Sequence, residues 1–315
     1  MRGIIAFDTS CYTTSVALVD DEGTVLLSLR KLLPVEQGKR GLRQSEGVFA
    51  HVKQIAPLLE EAFSTFSNVE IIAVGMTAKP RDEENSYMPV FMVGDAHGRA
   101  LASALGVPAF SFSHQRGHIR AALIDSGLNE GDFLALHLSG GTTEMLKVGS
   151  REIALLGGTR DLHAGQLIDR IGVAMGVPFP AGPYMEKLAQ NGASKAYLPT
   201  AMADKGLACH LSGAETQLMA WVAAGKKQED IARECFDFLA RTTAKMILAG
   251  KKKTGLNHAL IAGGVASSSL FAQLLRDRIQ KVDKHIKCYF GRPEYSGDNA
   301  VGIASLTLDE IRKGH

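Results

Sequence analysis

The same order of strands and turns occurs twice in this chain, about 130 residues apart. GIIAFDTSCYTTSVALVDDEGTVLLSLRK contains an apolar strand, a polar turn, an alternating strand, an acidic turn and a third strand. FLALHLSGGTTEMLKVGSREIALLGG repeats this arrangement downstream. Such a repeat predicts two lobes of like topology. The alternative is a coincidence, because three-strand meanders are common.

The segments that follow each repeat alternate between helical and strand patterns. After the first repeat come HVKQIAPLLEEAFSTF (helix), IIAVGMT (strand), VGDAHGRALASALG (helix) and VPAFSFS (strand). After the second come the long amphipathic helix DIARECFDFLARTTAKMILAGKKKTG, the strand, turn and helix of HALIAGGVASSSLFAQLLRDRI, and the closing helix GDNAVGIASLTLDEIRKG. This alternation predicts an α/β fold with mostly parallel sheets. The duplicated layout is typical of the actin-like ATPase (ASKHA) fold, in which a nucleotide lies in a central cleft. The predicted lobes are residues 1–110 with 297–315, and residues 111–296.

Composition excludes few classes of partner. Hydrophobic residues make up 45% and charged residues 22%, as in ordinary soluble domains, and a net charge of +2 predicts neither a nucleic-acid nor a membrane partner. The cysteines form no CxxC pair, which favours free thiols in a reducing cytoplasm. They are Cys11, Cys209, Cys235 and Cys288. No apolar run is long enough to cross a membrane, and MRGIIAFDTS is not a signal peptide, so we expect a cytoplasmic protein.

Three stretches can present backbone N–H groups to an anion. They are DTSCYTT (8–14), LSGGTTE (138–144) and AGGVASS (262–268), the last containing Gly263 and Gly264. Glycine lets a backbone approach phosphate closely, although each Gly-Gly pair alone is equally typical of a tight turn. Their matching places in a duplicated layout favour phosphate binding. Asp8, at the end of the first strand, could hold a metal-bound phosphate or a water, or could simply cap the turn.

His114 and His118 begin a predicted helix in SFSHQRGHIRAAL. Residues four apart project from one helix face, so both imidazoles can reach one metal ion; an ordinary pair of helix residues is the alternative. A zinc protease of the HExxH type is excluded, because Gln115 stands where the general base would be. Asp298, in YSGDNA before the last helix, is a candidate third ligand. Two histidines and a carboxylate leave coordination positions open for a substrate.

Seven motifs together resemble the TsaD (YgjD, formerly "glycoprotease") family over nearly the whole chain, in family order. The motifs are FDTSCYTTSVALVD, FSFSHQRGHIRAAL, LALHLSGGTTEML, LLGGTRDLHAGQLIDRIGVAMGVPFPAGP, LSGAETQL, LIAGGVASSSLF and RPEYSGDNAVGIA. This family is the transferase subunit of the tRNA threonylcarbamoyladenosine synthase, and it has the actin-like fold.

The resemblance implies a set of site residues. The metal ligands, for iron or zinc, fall on His114, His118 and Asp298. The substrate loop and further nucleotide positions fall on Ser139, Gly140, Gly141, Thr142, Asp169, Gly182 and Ser268. Asp8 and Ser139 are the implied catalytic positions, and ATP or threonylcarbamoyl-AMP is the implied nucleotide.

The resemblance also implies the reaction and the partners. A threonylcarbamoyl group passes from its adenylate to the N6 amine of the adenosine beside the tRNA anticodon. The metal polarises the carbamoyl carbonyl, and the Gly-rich turns stabilise the departing AMP phosphate. The family acts in a tRNA-modification complex, so protein partners and tRNA are expected; the oligomeric state is not predicted.

The chain departs from the family pattern, which leaves alternatives open. Tyr12 and Thr13 replace two acids, and AKPRDEENSY (78–87) replaces a Gly-Pro-Gly turn. His137 and His163 stand where other residues are usual; His137 could join the metal, although a packed strand histidine is favoured. The alternatives are a carbamoyl-type transferase with another acceptor, and a non-catalytic nucleotide- and metal-binding partner. Two basic runs, 31–43 and 251–253, decide nothing about RNA.

Overall fold

A computed structural model describes residues 1–10, 12–34, 42–128, 131–149, 152–194 and 197–314. Cys11, and Lys39 and Arg40 of the first basic run, lie outside the described residues. The chain forms two compact units, one of Met1–Ala122 with Gly297–His315 and one of Leu123–Ser296. None of the described helices is both long enough and apolar enough to cross a membrane.

The described residues of the first unit form a five-stranded sheet with four helices. Its elements are β1 (Arg2–Thr9), β2 (Thr13–Asp20), β3 (Val25–Leu32), α1 (Gln44–Thr65), β4 (Glu70–Lys79), α2 (Phe91–Leu105), β5 (Ala109–Ser113) and α3 (His114–Leu123), and the chain's last helix (Val301–Arg312) returns to it. The strand order is β3-β2-β1-β4-β5. β1, β2 and β3 pair antiparallel, whereas β1, β4 and β5 are parallel. The carboxyl ends of β1, β4 and β5 therefore share one edge.

The second unit repeats this topology. Its elements are β6 (Phe133–Leu138), β7 (Thr143–Val148), β8 (Ile153–Gly158), α4 (Ala164–Ala174), α5 (Gly182–Gln190), the hairpin β9 (Ala201–Ala203) and β10 (Ala208–His210), α6 (Ser212–Ala223), α7 (Gln228–Thr254), β11 (His258–Ala262), α8 (Ser269–Val282) and β12 (Lys287–Phe290); the last helix of the chain is α9. The strand order is β12-β11-β6-β7-β8, which confirms the duplicated layout. The predicted inner face of α7, including Ile231, Cys235 and Phe238, is buried in the main apolar cluster.

Two features differ from the predictions. The boundary between the units follows Ala122 rather than residue 110, because β5 pairs with β4 of the first sheet and carries α3 with it. The segment between β8 and α7 also contains α4, α5, α6 and the β9–β10 hairpin, which the sequence pattern did not predict. Glycines at Gly165 and Gly172 interrupt the helical pattern of α4, because each lies where a Cβ would meet a neighbouring segment.

α3 and α9 approach each other at a pair of glycines. A Cβ on Gly302 would lie 1.9 Å from the carbonyl oxygen of Gly117, and a Cβ on Gly117 would lie 2.8 Å from the Ile303 side chain. Only residues without side chains permit this approach. It brings the turn that precedes α9 beside the first turn of α3.

Candidate functional site

Three ligand-type side chains converge in the first unit. His114 and His118 lie one turn apart on α3, and their Nε2 atoms are 2.9 Å from each other. Asp298 Oδ1 lies 3.5 Å from His114 Nε2 and 3.2 Å from His118 Nε2. One ligand atom from each residue falls within 4.8 Å of the other two. The structure thus brings together the three residues that the sequence nominated as metal ligands.

Asp8 holds the other nitrogen of His114. Its Oδ2 lies 2.7 Å from His114 Nδ1, and its Oδ1 accepts a hydrogen bond of 3.0 Å from Thr77 Oγ1. The side chain is only 2% exposed. Both carboxylate oxygens are therefore engaged, and Asp8 orients an imidazole instead of facing a phosphate. A carboxylate on the outer nitrogen of a ligating histidine fixes its tautomer and increases its basicity.

The turn after β1 positions Asp298. Ser10 Oγ donates a hydrogen bond of 2.7 Å to Asp298 Oδ2. The Ser10 carbonyl lies 2.8 Å from Nε2 of the fully buried His51, and burial lowers the pKa of that imidazole. His51 Nδ1 lies 2.7 Å from Thr14 Oγ1, which donates to Gln54 Oε1. A buried polar network on α1 thus fixes the backbone that holds Asp298.

Charge interactions dominate the protonation of this cluster. Burial by itself lowers the pKa of His114, but the nearby carboxylates of Asp8 and Asp298 outweigh it and hold the pKa well above its usual value. Burial by itself raises the pKa of Asp298, but hydrogen bonds from His114 and His118 outweigh it and hold the pKa well below its usual value. A proton on His114 therefore occupies the place that a cation would take.

The donor set fits one divalent metal ion. Imidazole nitrogen and carboxylate oxygen are ligands that suit zinc and iron. A set of two imidazoles and one carboxylate fills three coordination positions and leaves others open for a substrate. With metal–nitrogen distances near 2.0–2.1 Å, two nitrogens on one tetrahedral ion lie roughly 3.3 Å apart. The observed 2.9 Å between the two Nε2 atoms needs only a small adjustment.

In the second unit, Ser139 organises the turn between β6 and β7. Its Oγ accepts hydrogen bonds from Thr142 N at 3.0 Å and Gly141 N at 3.3 Å, and its N–H donates to the Thr142 carbonyl at 2.8 Å. The Ser139 carbonyl accepts from Gly165 N, at the start of α4. Gly165 has to be a glycine, because a Cβ would lie 2.6 Å from Gly140 N.

A cavity of about 310 Å³ lies beside this turn, within the range of small-molecule sites. Five of the predicted nucleotide positions line it: Gly140, Asp169, Gly182, Gly264 and Ser268. The sequence reasoning missed other lining residues, among them Glu186 and Phe236. Glu186 accepts hydrogen bonds from Ser269 Oγ and Leu270 N, so it joins α5 to the start of α8. No sequence signal marks that contact, since 83 residues separate Glu186 from Ser269.

Three glycines in this lining have no structural reason to be glycine. A Cβ on Gly140, Gly182 or Gly264 would meet no described atom within 4 Å, and none of the three has a positive φ. Gly263 differs, because its φ is +95° and a Cβ would lie 2.4 Å from the Leu138 carbonyl oxygen. The open space above the first three glycines is room that a ligand can occupy at close range.

The remaining predicted residues have definite places. Asp169 Oδ1 accepts a hydrogen bond of 2.8 Å from Ala181 N. Burial raises the pKa of this carboxyl, and the hydrogen bond, which by itself lowers the pKa, only partly offsets the effect. Ser268 caps α8 by accepting from Phe271 N. Gly141 and Thr142 belong to the Ser139 turn but do not line the cavity. His137 lies in β6 of the second unit, where Gly263 packs against its ring.

Comparison with known proteins points to a family. A family model described as TsaD, tRNA N6-adenosine threonylcarbamoyltransferase, matches residues 44–305. This range includes His114, His118, Asp298 and all the cavity residues. The match supports a carbamoyl-type transferase as the class of function.

Solved structures share the fold. Full-length HypF in a phosphate- and nucleotide-bound form has a TM-score of 0.63 at 11% identity, over 100% of this chain and 47% of that one, so the chain spans about half of its length. A ROK-family glucokinase from Streptomyces griseus, with glucose and AMPPNP, has a TM-score of 0.57 at 14% identity, over 99% and 100%. The 2-hydroxyisocaproyl-CoA dehydratase activator from Clostridium difficile, with ADPNP, has a TM-score of 0.56 at 13% identity, over 99% and 96%. These likenesses show the actin-like ATPase fold.

Proposed function

Because the chain belongs to the TsaD family of tRNA N6-adenosine threonylcarbamoyltransferases, we propose that it is a metal-dependent transferase with this activity. It moves a threonylcarbamoyl group from threonylcarbamoyl-AMP to the N6 amine of the adenosine beside the tRNA anticodon. The observation that carries the proposal is the convergence of His114, His118 and Asp298, with Asp8 behind His114.

The residues of the first unit would hold the ion and keep its ligands oriented. His114, His118 and Asp298 would bind one iron or zinc ion, which supplies a Lewis acid for the carbamoyl carbonyl when bound. Asp8 keeps the His114 ring oriented, and Ser10 occupies the second oxygen of Asp298. Because these side chains are already in position, they do not have to rearrange during the reaction.

The residues of the second unit bind the nucleotide portion of the donor. The Ser139 turn is already closed by its own hydrogen bonds, so its backbone is ordered before a ligand arrives. Gly140 and Gly264 leave room for close approach to a phosphate. The N–H groups of Ser139, Gly141 and Thr142 donate within the turn, so the N–H groups of Gly140 and Gly264 would stabilise the negative charge that develops on the departing AMP. The reaction needs no covalent nucleophile.

We also propose that the chain acts in the cytoplasm with protein partners of a tRNA-modification complex. Phe49 and Val52 on α1 are 62% and 49% exposed, and apolar side chains exposed side by side on a helix favour a protein contact.

A carbamoyl-type transferase with another acceptor is the second candidate. AKPRDEENSY (78–87) stands where the family has a Gly-Pro-Gly turn. Lys79 pairs with Ser113, and the Pro80 carbonyl accepts from Gln115 N, so this altered turn adjoins the start of α3. This departure from the family turn, beside the helix that carries the histidines, is the observation that favours another acceptor.

Metal analysis combined with a transfer assay tests the proposal. We expect about one metal ion per chain, and transfer of labelled threonine from the adenylate to unmodified tRNA when partner proteins are supplied. His114→Ala should lose both. His97→Ala, which removes a half-buried helix histidine of the same unit, should keep both. Equal metal in wild type and His114→Ala would refute the metal centre, whereas bound metal without transfer to tRNA would favour the second candidate.

A further inference from the structure

Positive charge is concentrated in one part of the second unit. Residues 241–287 contain ten Lys and Arg against two Asp and Glu, a net charge of +8, although the whole chain carries only +2. The sequence alone showed a run of three lysines at 251–253. The fold adds cations from α7, α8 and the start of β12, which are distant in the chain.

A groove between α7 and α8 collects several of these cations. Its cavity, of about 570 Å³, is lined by Arg241, Lys245 and Arg278 together with Tyr197 and apolar side chains. Lys245 Nζ donates to the hydroxyl of Thr200 at 2.5 Å and has no carboxylate partner within the described ranges. Arg278 Nε is buried and has no hydrogen-bond partner among the residues that the structure describes. Arg241 and Arg278 are paired with two carboxylates, so the positive charge that the groove retains is that of Lys245.

Buried carboxylates hold the two arginines in place. Glu234 and Asp237 are 1% and 5% exposed, so these acids lie behind the groove and do not line it. Arg241 bonds Glu234 Oε1 at 2.6 Å and Asp237 Oδ2 at 3.0 Å, and Arg278 bonds Asp237 Oδ1. Arg241 also donates to the Leu198 carbonyl, so its guanidinium is fixed in the wall of the groove, and Lys245 and the rim lysines are the cations that can meet a ligand.

The charge continues beyond the cavity. Arg241, Lys245, Leu248 and Lys252 follow one face of α7 over about 16 Å, at 1.5 Å per residue. Phosphates of one strand of double-stranded DNA follow each other about every 3.4 Å along the axis, so a nucleic-acid strand of comparable spacing would place several phosphates along this face. Lys252, Lys253, Lys281, Lys284 and Lys287 are exposed and form no ion pair with another described residue, whereas Lys251 pairs with Asp283 at 2.6 Å.

An aromatic surface borders the groove. Tyr197 is 61% exposed and contacts Trp221 edge-on, with ring centroids 6.2 Å apart. Lys226 lies 4.0 Å above the Trp221 ring. Aromatic rings beside a positively charged groove are the combination that binds unpaired bases together with their phosphates.

We propose that the α7–α8 groove and its lysine rim bind the phosphate backbone of RNA. The proposal rests on the proposed function, because it assigns to this surface the RNA acceptor of the transfer reaction. Cations spaced along a helix suit a regular polyanion, and the exposed Tyr197 suits a base, which together favour RNA over an acidic protein. Phosphate contacts position an RNA without reading its sequence.

Binding of a labelled, unmodified tRNA transcript, measured by fluorescence anisotropy between about 50 and 200 mM salt, tests this surface. The variant Lys245→Gln/Lys252→Gln/Lys284→Gln should weaken binding about tenfold or more and lower the slope of log Kd against log salt by roughly 2. Lys147→Gln/Lys187→Gln/Lys227→Gln removes the same charge from exposed lysines elsewhere in the unit and should bind as wild type. Tyr197→Leu should weaken binding about fivefold or more.

Two outcomes would overturn the proposal. One is an unchanged Kd and salt slope in the first triple variant. The other is a polyglutamate peptide that displaces the tRNA and depends on the same lysines, which would assign the groove to an acidic protein.

The test separates this surface from the metal centre. The lysine variant should keep its metal and its kcat at saturating tRNA while KM rises, whereas His114→Ala should lose transfer but keep its Kd for tRNA. If tRNA binding depends on the lysines and no transfer occurs, the proposed function fails and the RNA surface stands.

Discussion

Asp8 Oδ2 lies 2.7 Å from His114 Nδ1, although 106 positions separate the two residues in the chain. The contact exists because β1 and β5 flank β4 in one parallel sheet, so the residues that end β1 and follow β5 meet at one edge. Asp8 thereby turns the His114 ring so that Nε2 faces His118 and Asp298. This relationship orients one of the two α3 histidines towards the position that a cation would share with His118 and Asp298.

Asp8→Asn should weaken metal binding about 10- to 100-fold, because the outer carboxylate no longer fixes the tautomer and the charge of His114. Competition with a graded series of chelators measures the affinity. Asp20→Asn removes an acid from an exposed turn of the same unit and should leave the affinity unchanged. An unaltered affinity in Asp8→Asn would show that the contact does not tune the ligand.

The metal-free protein should become less stable as the pH rises above about 6.5. The raised pKa of His114 stabilises the fold below that ordinary value, and the contribution is lost as the pH passes the folded-state pKa. The lowered pKa of Asp298 stabilises the fold above about pH 4 and is lost as the pH falls through the folded-state pKa. The cluster therefore contributes most between about pH 4 and 6.5.

Metal binding should have the opposite pH dependence, since the ion displaces the proton from His114 and its affinity rises with pH. Thermal unfolding from pH 5 to 9, with chelator and with metal, measures both trends. His114→Ala should lack the decline of stability above about pH 6.5. If the stability of the metal-free and the metal-loaded protein changed with pH in the same way, the idea that the ion takes the place of the His114 proton would be wrong.

Gly140→Ala and Gly264→Ala should leave stability within about 0.5 kcal/mol of wild type and weaken nucleotide binding at least about tenfold. The added methyl meets no described atom of the protein, so its cost falls on the ligand. Calorimetric titration with AMP or ATP measures the affinity. Gly263→Ala is the contrasting variant: its positive φ and the nearby Leu138 carbonyl predict a loss of stability. Normal nucleotide binding by Gly140→Ala and Gly264→Ala would show that the nucleotide does not occupy the space above these glycines.

Gly302→Ala should destabilise the protein by about 1–3 kcal/mol and reduce metal binding together with it, because the methyl collides with the Gly117 carbonyl and separates α9 from α3. Chemical unfolding and metal content report the two effects. Gly213→Ala places its methyl in open space on α6, at least as far as the described residues reach, and should change neither. Full metal content in a destabilised Gly302→Ala variant would show that metal binding does not depend on the close contact between α3 and α9.

Local patterns predicted the fold well. The strand alternation of the two meanders, the spacing of Ile231, Cys235 and Phe238, and the family motifs led to the actin-like architecture, which the strand orders and the shared fold confirm. The segment that carries α4, α5 and α6 was not predicted, because short helices with several glycines have weak periodicity. The catalytic roles of Asp8 and Ser139 stay predictions, although their places are now defined.

The sequence by itself determined that His114 and His118 share one helix face wherever that helix lies, and it nominated Asp298 as a candidate third ligand. Only the tertiary structure decided that Asp8 orients His114, that three glycines from separate elements leave one open cavity, and that lysines of α7, α8 and β12 form one surface. The physical reason is the distance along the chain over which the interactions act. Helix geometry follows from neighbouring residues, whereas these arrangements depend on which strands pair and how closely helices such as α3 and α9 can approach.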